Sequence, residues 1–416
     1  MPTLLSINNY YYRRGGAETV FLEQNRLLEQ AGWSVVPFSM THPQNLESAW
    51  SGYFVDEIEF GRQYSALQNL GRAGKVVYSF EARRKLDRLL NAVVPDVCHA
   101  HNIYHHLSPS ILGLLGSRGV PTVMTLHDLK IACPAYNMLT HDGICERCRG
   151  GRLDNVIRHR CIKGSRALSS LVALEAVLHR AIGSYRRFVD RFLVPSRFYV
   201  DKLAHWGVAR EHMTYVPNFV DATRYAPRFE PGRGFVFFGR VAKEKGVGTL
   251  LRAASTAGVD VTIVGTGPEV ESMRTLATSI GANAHFTGYL AGEGLQEVVR
   301  TSRAVVLPSE WYENAPMSLL EAYALGKPMI GADIGGIPEL IRPAETGARF
   351  ASGDAGDLAR VLREMADAPD AEIERMGRNG REWVEREFSA EVYLRRVLAV
   401  YRELGVDTAS RISVPS

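Results

Sequence analysis

Short apolar runs alternate with longer amphipathic stretches along nearly the whole chain, and this pattern constrains the fold more than any other feature. Such alternation is typical of strand–helix–strand units, in which helices cover both faces of a parallel sheet. The strands predicted in the first half are Thr3–Ile7, Trp33–Phe38, Asp96–Ala100, Pro121–Leu126 and Phe192–Pro195. The strands predicted in the second half are Phe235–Phe238, Val261–Val264, Ala284–Phe286, Ala304–Leu307 and Met329–Ala332. Between them lie helical stretches such as Ala17–Ala31 and Tyr78–Asn91.

A chain of 416 residues is too long for one ordinary hydrophobic core and is a natural size for two domains. We place the boundary after residue 216, before a Pro- and Gly-rich stretch. The predicted domains cover residues 1–216 and 217–389, and we expect the helix of the last segment, 390–416, to pack back on the first domain. Open parallel sheets bind ligands beyond the carboxyl ends of their strands. The predicted fold is therefore α/β, with two Rossmann-like parallel-sheet domains facing a central cleft that holds the ligand.

The composition is that of a globular protein, with 46% hydrophobic and 23% charged residues. No run approaches the roughly 20 apolar residues that a membrane-spanning helix needs. The N-terminus shows no signal peptide, so we expect a cytoplasmic protein. The net charge is +4, and its basic excess peaks between Arg147 and Arg197, a composition that fits either a solvated helical surface or contact with anionic lipid or a phosphorylated substrate. Nothing resembles a nucleic-acid-binding module.

Two glutamates flank a predicted helix start in the second half. Glu313 lies in the loop that leaves the strand Ala304–Leu307, and Glu321 follows eight residues later. The positions between them run Asn314, Ala315, Pro316, Met317, Ser318 and Leu319. Proline fits the first turn of a helix, and the free amides that follow it are suited to bind a diphosphate. The carboxylates would accept hydrogen bonds from hydroxyls of a sugar and a ribose, although a loop glutamate and a helix-surface glutamate would look the same.

Basic and glycine-rich turns follow the neighbouring predicted strands. Gly239 and Arg240 end the strand Phe235–Phe238, and Lys245 comes shortly after them. An Arg and a Lys beyond one strand end can neutralise a diphosphate and stabilise it as a leaving group, although ordinary surface residues would give the same local sequence. The turn that contains Gly265 and Gly267 follows another strand and would allow the backbone to approach a ligand.

Taken in order, these segments resemble a known family. They read Phe-Gly-Arg-x4-Lys-Gly, Val-Gly-x-Gly-Pro, Pro-Ser-x-Trp-x-Glu-x7-Glu-Ala-x3-Gly-x-Pro and Gly-Gly-x-x-Glu. This set is similar to that of the family-4 (group 1) retaining glycosyltransferases, which have the GT-B fold. The resemblance implies transfer of a hexose-type sugar from a nucleotide diphospho-sugar, with retention and without a catalytic metal. UDP-sugar is the expected donor, and a GDP-sugar is the alternative.

The resemblance also implies roles for individual residues. Arg240 and Lys245 would hold the donor diphosphate, Glu313 would contact hydroxyls of the donor sugar, and Glu321 would contact the ribose. The amides after Asn314 would contact sugar and phosphate. Since no carboxylate is clearly placed as a nucleophile, the implied route is front-face attack, in which the leaving diphosphate helps to take the acceptor proton.

The first domain contributes further candidates. Gly16 lies in a Gly-rich turn that opens a helix, and by the resemblance it would approach the diphosphate or the acceptor; a simple helix-start turn would look the same. His127 follows a predicted strand and matches a family position that contacts the donor sugar, although a hydrogen-bonded structural histidine also fits. His99 and His101 follow another strand, and one of them is expected to line the acceptor site.

Four of the five cysteines crowd into a predicted insertion over residues 129–165. They are Cys133, Cys145, Cys148 and Cys161. In a cytoplasmic protein, this spacing predicts a tetrahedral structural zinc site, and four reduced thiols are the alternative. The insertion follows His127 closely, so we expect it to shape the acceptor side, and it is similar to one in bacterial polysaccharide transferases.

The function that emerges is glycosyl transfer to a saccharide or lipid-linked saccharide, in the biosynthesis of a cell-surface polysaccharide or glycoconjugate. A lipid-linked acceptor would suit peripheral contact with the inner face of the membrane, given the basic first domain. The alternatives are a catalytically silent scaffold of the same fold and a sugar-nucleotide epimerase or phosphorylase. A catalytically silent scaffold would be expected to lack some of the donor-binding residues. The sequence contains all four of them, Arg240, Lys245, Glu313 and Glu321.

Overall fold

The computed structural model describes residues 1–57 and 74–408 and divides into two compact units. The first unit contains the described residues of Met1–Pro195, then Tyr199–Val216 and the described residues from Leu394 onward. The second contains Ser196–Phe198 and Pro217–Tyr393. In the described part of the chain, no helix has both the length and the apolar character that crossing a membrane requires.

The first unit is built on a six-stranded parallel sheet. The strands of the unit, in chain order, are β1 (Thr3–Ile7), β2 (Ser34–Phe38), β3 (Val97–Ala100), β4 (Thr122–Thr125), β5 (Leu139–Thr140), β6 (Gly143–Ile144), β7 (Arg191–Val194) and β8 (Met213–Tyr215). Strands β5 and β6 form a small antiparallel hairpin outside the sheet. The order across the sheet is β2-β1-β3-β4-β7-β8, and every neighbouring pair is parallel. Parallel neighbours require crossover connections, which the helices between the strands supply.

Seven helices with described bounds lie between β1 and β8 and belong wholly or mostly to this unit. They are α1 (Gly16–Gln30), α2 (Phe80–Ala92), α3 (Ser110–Ser117), α4 (Asp154–Arg158), α5 (Arg166–Ile182), α6 (Ser184–Phe188) and α7 (Arg197–His205). Local sequence sets the ends of α5. The Ser165 side chain accepts a hydrogen bond from the Leu168 amide at the N-terminus, and Gly183 ends the helix in the left-handed conformation, with φ of +73°.

The second unit repeats the architecture with a different strand order. Its strands are β9 (Phe235–Phe238), β10 (Val261–Val264), β11 (Ala284–Gly288), β12 (Ala304–Leu307), β13 (Met329–Ala332) and β14 (Gly347–Phe350). Its helices are α8 (Val247–Ala257), α9 (Val270–Ser279), α10 (Gly292–Arg300), α11 (Met317–Ala324), α12 (Ala355–Asp367), α13 (Asp370–Glu387) and the start of α14 (Ala390–Glu403). The sheet runs β11-β10-β9-β12-β13-β14 and is parallel throughout.

Both faces of the second sheet are buried. Phe235 and Phe237 pack into one hydrophobic core, while Val236 and Phe238 pack into a second core on the opposite face. Side chains alternate across a strand, so a run that is apolar at every position needs a covered layer on each side. Two parallel-sheet α/β domains of the Rossmann type are therefore confirmed.

Each sheet has a point where the strand order reverses. In the second unit, β9 is followed on one side by β10 and β11, and the chain then returns to place β12 on its other side. In the first unit, the reversal lies between β1 and β3. The loops that leave two such strands diverge and open a crevice at their carboxyl ends, which is where open α/β sheets bind ligands.

Candidate functional site

The reversal point of the second sheet brings Lys245 and Glu313 together. Lys245 lies in a short 3-10 turn after β9, and Glu313 lies in the loop after β12, the strand beside it. The Lys245 Nζ is 2.7 Å from the Glu313 Oε1. The Ser309 Oγ donates to the same carboxylate oxygen at 2.7 Å. Two residues that are far apart in sequence thus form one charged pair where the fold predicts a ligand.

This pair is largely removed from solvent. Glu313 is 6% exposed. Burial would raise the pKa of its carboxyl group, but the charge and hydrogen bond of Lys245 and the hydrogen bond from Ser309 outweigh burial and hold the pKa below its ordinary value. The Lys245 ammonium also lies 5.3 Å from the centre of the Trp311 ring, a favourable cation–π distance. Glu313 is therefore an ionised, hydrogen-bonded acceptor.

Arg240 belongs to the same edge of the sheet but is held differently. It follows Gly239 at the end of β9, and its side chain is 60% exposed. Its guanidinium pairs with Glu244 in the following turn. The exposed guanidinium gives this strand end a second cation beside Lys245.

The loop before α11 is fixed by side chains from elsewhere in the second unit. The Ser196 Oγ donates to the Asn314 Oδ1 at 2.8 Å. The Asn218 Nδ2 donates to the Ala315 carbonyl oxygen at 2.7 Å. Because these bonds hold the backbone just before the helix, they set the direction in which its first amides point.

The helix start differs in detail from the sequence prediction. Helix α11 begins at Met317, so Pro316 is the N-cap rather than a residue of the first turn. The Leu319 amide donates to the Pro316 carbonyl oxygen at 3.2 Å, so only two of the three amides expected to be free remain. Within the described residues, the Met317 and Ser318 amides have no hydrogen-bond partner. Two free donors at the positive end of the helix dipole still favour an anion.

Glu321 lies about one turn inside α11 and is partly buried. The later Gly-Gly-x-x-Glu segment has a visible structural task, because Glu339 accepts hydrogen bonds from the amides of Arg197 at 2.9 Å and Phe198 at 2.5 Å. The carboxylate of Glu321 therefore stays the ribose-binding candidate.

The glycines of these turns allow backbones to pack against each other. A side-chain carbon at Gly265 would lie 1.9 Å from the Gly239 carbonyl oxygen, and one at Gly267 would lie 2.1 Å from that of Val241. A side-chain carbon at Gly246, where φ is +67°, would lie 1.8 Å from the Pro308 carbonyl oxygen. Each distance is well inside van der Waals contact. Contact between neighbouring loops therefore requires glycine at these positions, whether or not the backbone also approaches a ligand there.

In the first unit, Gly16 is exposed as the first residue of α1. His127 lies beyond the carboxyl end of β4 and is partly buried. Its Nε2 is 2.8 Å from the Nδ1 of His101, and desolvation lowers the pKa of His127 to about 4. Imidazole contacts thus connect the loops that leave two neighbouring strands.

The predicted zinc site is not supported. Over residues 1–57 and 74–408, no group of three or more His, Cys, Asp or Glu side chains comes together in a way that could hold a metal ion. Burial, followed by repulsion from neighbouring thiols, raises the pKa of Cys148 to about 12 and that of Cys161 to about 11. Cys133 is buried, and burial also raises its pKa. The segment therefore gathers thiols without forming a metal-binding group.

Several residues that contact the candidate site residues were not predicted from the sequence. Ser309 and Trp311 support the Lys245–Glu313 pair, and Tyr401 reaches a histidine of β3 from α14. The Ser and Trp are part of the recognised Pro-Ser-x-Trp-x-Glu segment, so their presence was a usable signal. For Tyr401 the sequence offers no signal, because only the fold brings α14 to β3.

Two family models match the chain. The model described as "Glycosyltransferase Family 4" matches residues 14–224, and the model described as "Glycosyl transferases group 1" matches residues 225–383. Together they account for most of the chain, and the second covers Arg240, Lys245, Glu313 and Glu321.

Individual relatives are more distant. A glycogen synthase of Mycobacterium tuberculosis is 27% identical over 242 residues, which are 55% of this chain and 58% of the relative. The chain thus spans little more than half the length of that relative. Among solved structures, the sucrose-phosphate synthase of Thermosynechococcus elongatus matches with a TM-score of 0.70 at 18% identity, covering 97% of this chain and 99% of that one. The Anabaena protein Alr3699/HepE in complex with UDP-glucose matches with a TM-score of 0.67 at 16% identity, covering 96% and 99%.

Proposed function

The chain belongs to Glycosyltransferase Family 4, with a group 1 glycosyltransferase domain, and we propose that it transfers a hexose from a nucleotide diphospho-sugar to a saccharide or lipid-linked saccharide. The observation that carries this proposal is the ionised Lys245–Glu313 pair at the reversal point of the second sheet. This position is where the fold binds ligands, and the pair offers both a cation for phosphate and an acceptor for hydroxyls.

In this proposal, the donor diphosphate is held by positive charge from the protein. Lys245 and the exposed Arg240 supply two cations, and the free amides of Met317 and Ser318 add the start of α11. As the bond to the sugar breaks, negative charge grows on the diphosphate, so these groups stabilise the transition state more than the ground state. We propose that they suffice without a catalytic metal.

We further propose that Glu313 accepts hydrogen bonds from hydroxyls of the donor sugar and that Glu321 accepts one from the ribose. His127 contacts the donor sugar from the first unit in this assignment. Attack by the acceptor on the face that the diphosphate leaves would give retention, with the diphosphate taking the acceptor proton. Glu313 is less suited to act as a nucleophile, because Lys245 and Ser309 already hold one of its oxygens.

We propose a UDP-sugar as the donor, with a GDP-sugar as the alternative. One relative is a GDP-mannose-dependent alpha-mannosyltransferase of Mycobacterium tuberculosis, and the Anabaena protein Alr3699/HepE was solved with UDP-glucose, so both bases occur among similar proteins. The test is release of nucleoside diphosphate from UDP-, GDP- and ADP-sugars, with and without EDTA. Release from one donor that EDTA leaves unchanged supports the proposal. No release and no binding with any donor refutes it, and product formation without loss of the diphosphate favours an epimerase.

We propose that the acceptor is presented at the cytoplasmic face of a membrane, in the biosynthesis of a surface polysaccharide or glycoconjugate. Leu174 and Val177 on α5 are 56% and 51% exposed, and Arg166 and Arg180 of the same helix are exposed as well. A helix that exposes both apolar and basic side chains suits the surface of an anionic bilayer.

Vesicle co-sedimentation tests this contact. The wild-type protein should bind vesicles with anionic lipid at low salt, and a Leu174→Ser/Val177→Ser double variant should bind less. A Val94→Ser variant is the control, because Val94 is 86% exposed on another part of the first unit. Binding that is absent, or equal for all three proteins, contradicts the membrane proposal without affecting the donor assignment.

A further inference from the structure

Three histidines of the first unit form a stack. His99 and His101 are two residues apart at the end of β3, so their side chains project to the same face. Their ring centres are 4.8 Å apart, and those of His101 and His127 are 5.1 Å apart, with nearly parallel planes. His99 and His101 are completely buried. Each neutral imidazole has one donor and one acceptor nitrogen, so the position of its proton decides which hydrogen bonds a buried ring can form.

The hydrogen bonds of His99 fix its own protonation. The Gln24 amide donates to the His99 Nδ1 at 3.0 Å, and the Tyr401 hydroxyl lies 2.7 Å from the same nitrogen. The Nδ1 of His99 is therefore the acceptor, and its Nε2–H donates to the Thr125 Oγ1 at 2.7 Å. With both ring nitrogens satisfied, His99 is an anchored structural residue.

His101 is different, because only one of its ring nitrogens is satisfied. Its Nδ1 is 2.8 Å from the Nε2 of His127, while its own Nε2 is buried with no hydrogen-bond partner among the described residues. Two arrangements fit this geometry. Either the His101 Nδ1–H donates to His127 and the unpartnered nitrogen is a bare acceptor, or the His127 Nε2–H donates and the unpartnered nitrogen is a buried N–H.

The two arrangements differ in which kind of polar atom is left without a partner. Among backbone groups of native proteins, buried N–H donors without a partner are rarer than acceptors that lack one, and we extend this preference to the imidazole nitrogens. The first arrangement avoids an orphaned donor and is therefore favoured. In it, the Nε2 of His127 accepts a hydrogen bond, so the single proton of neutral His127 must lie on Nδ1.

We infer that His101 is a positioning residue that holds His127 as its Nδ1–H tautomer. Under the proposed function, on which this inference rests, His127 would then offer the donor sugar an N–H donor rather than a base. His101 touches no substrate in this scheme and acts only through His127. Burial lowers the pKa of both histidines, which keeps the two rings neutral and maintains the hydrogen bond between them.

The tautomer can be measured without any substrate. In protein labelled with ¹⁵N-histidine, the His127 signals are assigned by their loss in a His127→Gln variant. We expect the Nδ1 of His127 to be protonated in the wild-type protein and a mixture of tautomers in His101→Leu. His101→Asn should retain the wild-type tautomer, because its amide nitrogen occupies nearly the place of the imidazole Nδ1. A His127 protonated on Nε2, or a tautomer unchanged in His101→Leu, overturns the inference.

Turnover of the donor supplies a second readout. His101→Leu should lower kcat about 10-fold, the effect of one lost or misplaced hydrogen bond, and change KM by less than about 3-fold. His101→Asn should restore most of the kcat. Tyr401→Phe is the matched control, since it removes a hydrogen bond from His99 in the same stack and should leave both the tautomer and kcat close to wild type. Equal losses in all three variants mean a structural effect and contradict the inference.

Failure of the inference differs from failure of the proposed function. If no donor is turned over by the wild-type protein, the proposed function fails, whereas the tautomer of His127 still tests the role of His101. If His101→Leu does not fold, as thermal unfolding would show, the wild-type tautomer and the His101→Asn variant still decide the outcome.

Discussion

At the residue scale, the Lys245–Glu313 pair links stability to function. The side chain of Lys245 is 20% exposed and that of Glu313 is 8% exposed, so water reaches them little and each charge is stabilised largely by the other. Removing one member of a buried pair costs more than the pair itself contributes, because the remaining charge stays buried. In the proposed donor site, which would offer both a cation and a carboxylate to the ligand, the pair would therefore already be formed before the ligand binds.

A Lys245→Met variant should be less stable than wild type by about 2 kcal/mol at pH 7, a value reduced for the partial exposure of the lysine. In the wild type, the pKa of Glu313 is lowered, so the stabilisation is present above the ordinary glutamate pKa and is lost as the pH falls through the lowered value. In the variant, burial without the lysine raises the pKa of Glu313, so its carboxylate is protonated at a higher pH than in the wild type. The stability gap should therefore shrink between pH 7 and pH 4, as measured by urea unfolding.

Lys243→Met provides the control, because Lys243 is exposed in the same short turn. Its unfolding free energy should stay within about 0.5 kcal/mol of wild type at each pH, the usual range for surface substitutions. A stability gap for Lys245→Met that does not change with pH would contradict the account of the pair.

Substitutions of the two glutamates of the proposed donor site should have different effects. Glu321→Ala should weaken nucleoside diphosphate binding by about 10-fold, since a hydrogen bond between a carboxylate and the ribose is lost. Glu313→Gln should leave that binding nearly unchanged and lower kcat by about 10- to 100-fold, because Glu313 is assigned to the sugar. Calorimetric titration and steady-state kinetics measure the two quantities. Similar small effects from both substitutions would refute the assignment.

At the element scale, strands with continuous apolar runs could be predicted from the sequence. Phe235–Phe238 and Ala304–Leu307 were placed correctly at both ends, because burial on both faces leaves an uninterrupted apolar run. The edge strands β8 and β14 were missed. Residues such as Thr214 and Arg349 are only partly buried there, so neither strand shows a clear apolar run.

The site was predictable in part for a related reason. The sequence pattern predicted that Lys245 and Glu313 face a ligand, because each follows a strand at the carboxyl edge. It did not predict that they contact each other, because that contact depends on β9 and β12 being neighbours in the sheet. The resemblance to a known family supplied the roles, and the strand order supplies the physical reason for their proximity.

The backbone contact at Gly246 yields a prediction for the elements around the pair. Gly246 and Gly258 flank α8 with nearly the same φ, +67° and +70°, but only Gly246 faces a neighbouring backbone, the Pro308 carbonyl. Gly258→Ala should cost about 1 kcal/mol, the price of a left-handed alanine. Gly246→Ala carries the same strain and a clash besides, so it should cost about 3 kcal/mol and lower turnover.

The comparison of these two alanine variants isolates the contact between loops. Unfolding free energies and kcat would be measured for both proteins. If Gly246→Ala and Gly258→Ala lose equal stability, then the turn that bears Lys245 is not held against the loop after β12, and the glycine is needed only for its conformation.

At the scale of the whole molecule, the chain has a parallel sheet in each of its two units, and the side chains proposed to bind the nucleotide, Arg240, Lys245 and Glu321, all lie in the second. A ligand stabilises the cooperative unit that binds it by RT ln(1 + [L]/Kd), which is about 2.7 kcal/mol at 100 times Kd. Slow amide exchange in a buried strand reports the opening of its own cooperative unit. Hydrogen exchange can therefore show which sheet responds to the nucleotide.

With nucleoside diphosphate at about 100 times Kd, the slowest amides of β9, β10 and β12 should exchange up to about 100-fold more slowly. If the two units open independently, the exchange rates of the slowest amides of β1, β3 and β4 should change far less than those of the second sheet. If the two units open together, the exchange rates of both sheets should fall equally. Mass spectrometry of peptic fragments measures both sets in one experiment. Protection confined to the first sheet would contradict the donor site, because nucleotide held by Lys245 and α11 cannot stabilise the other sheet alone.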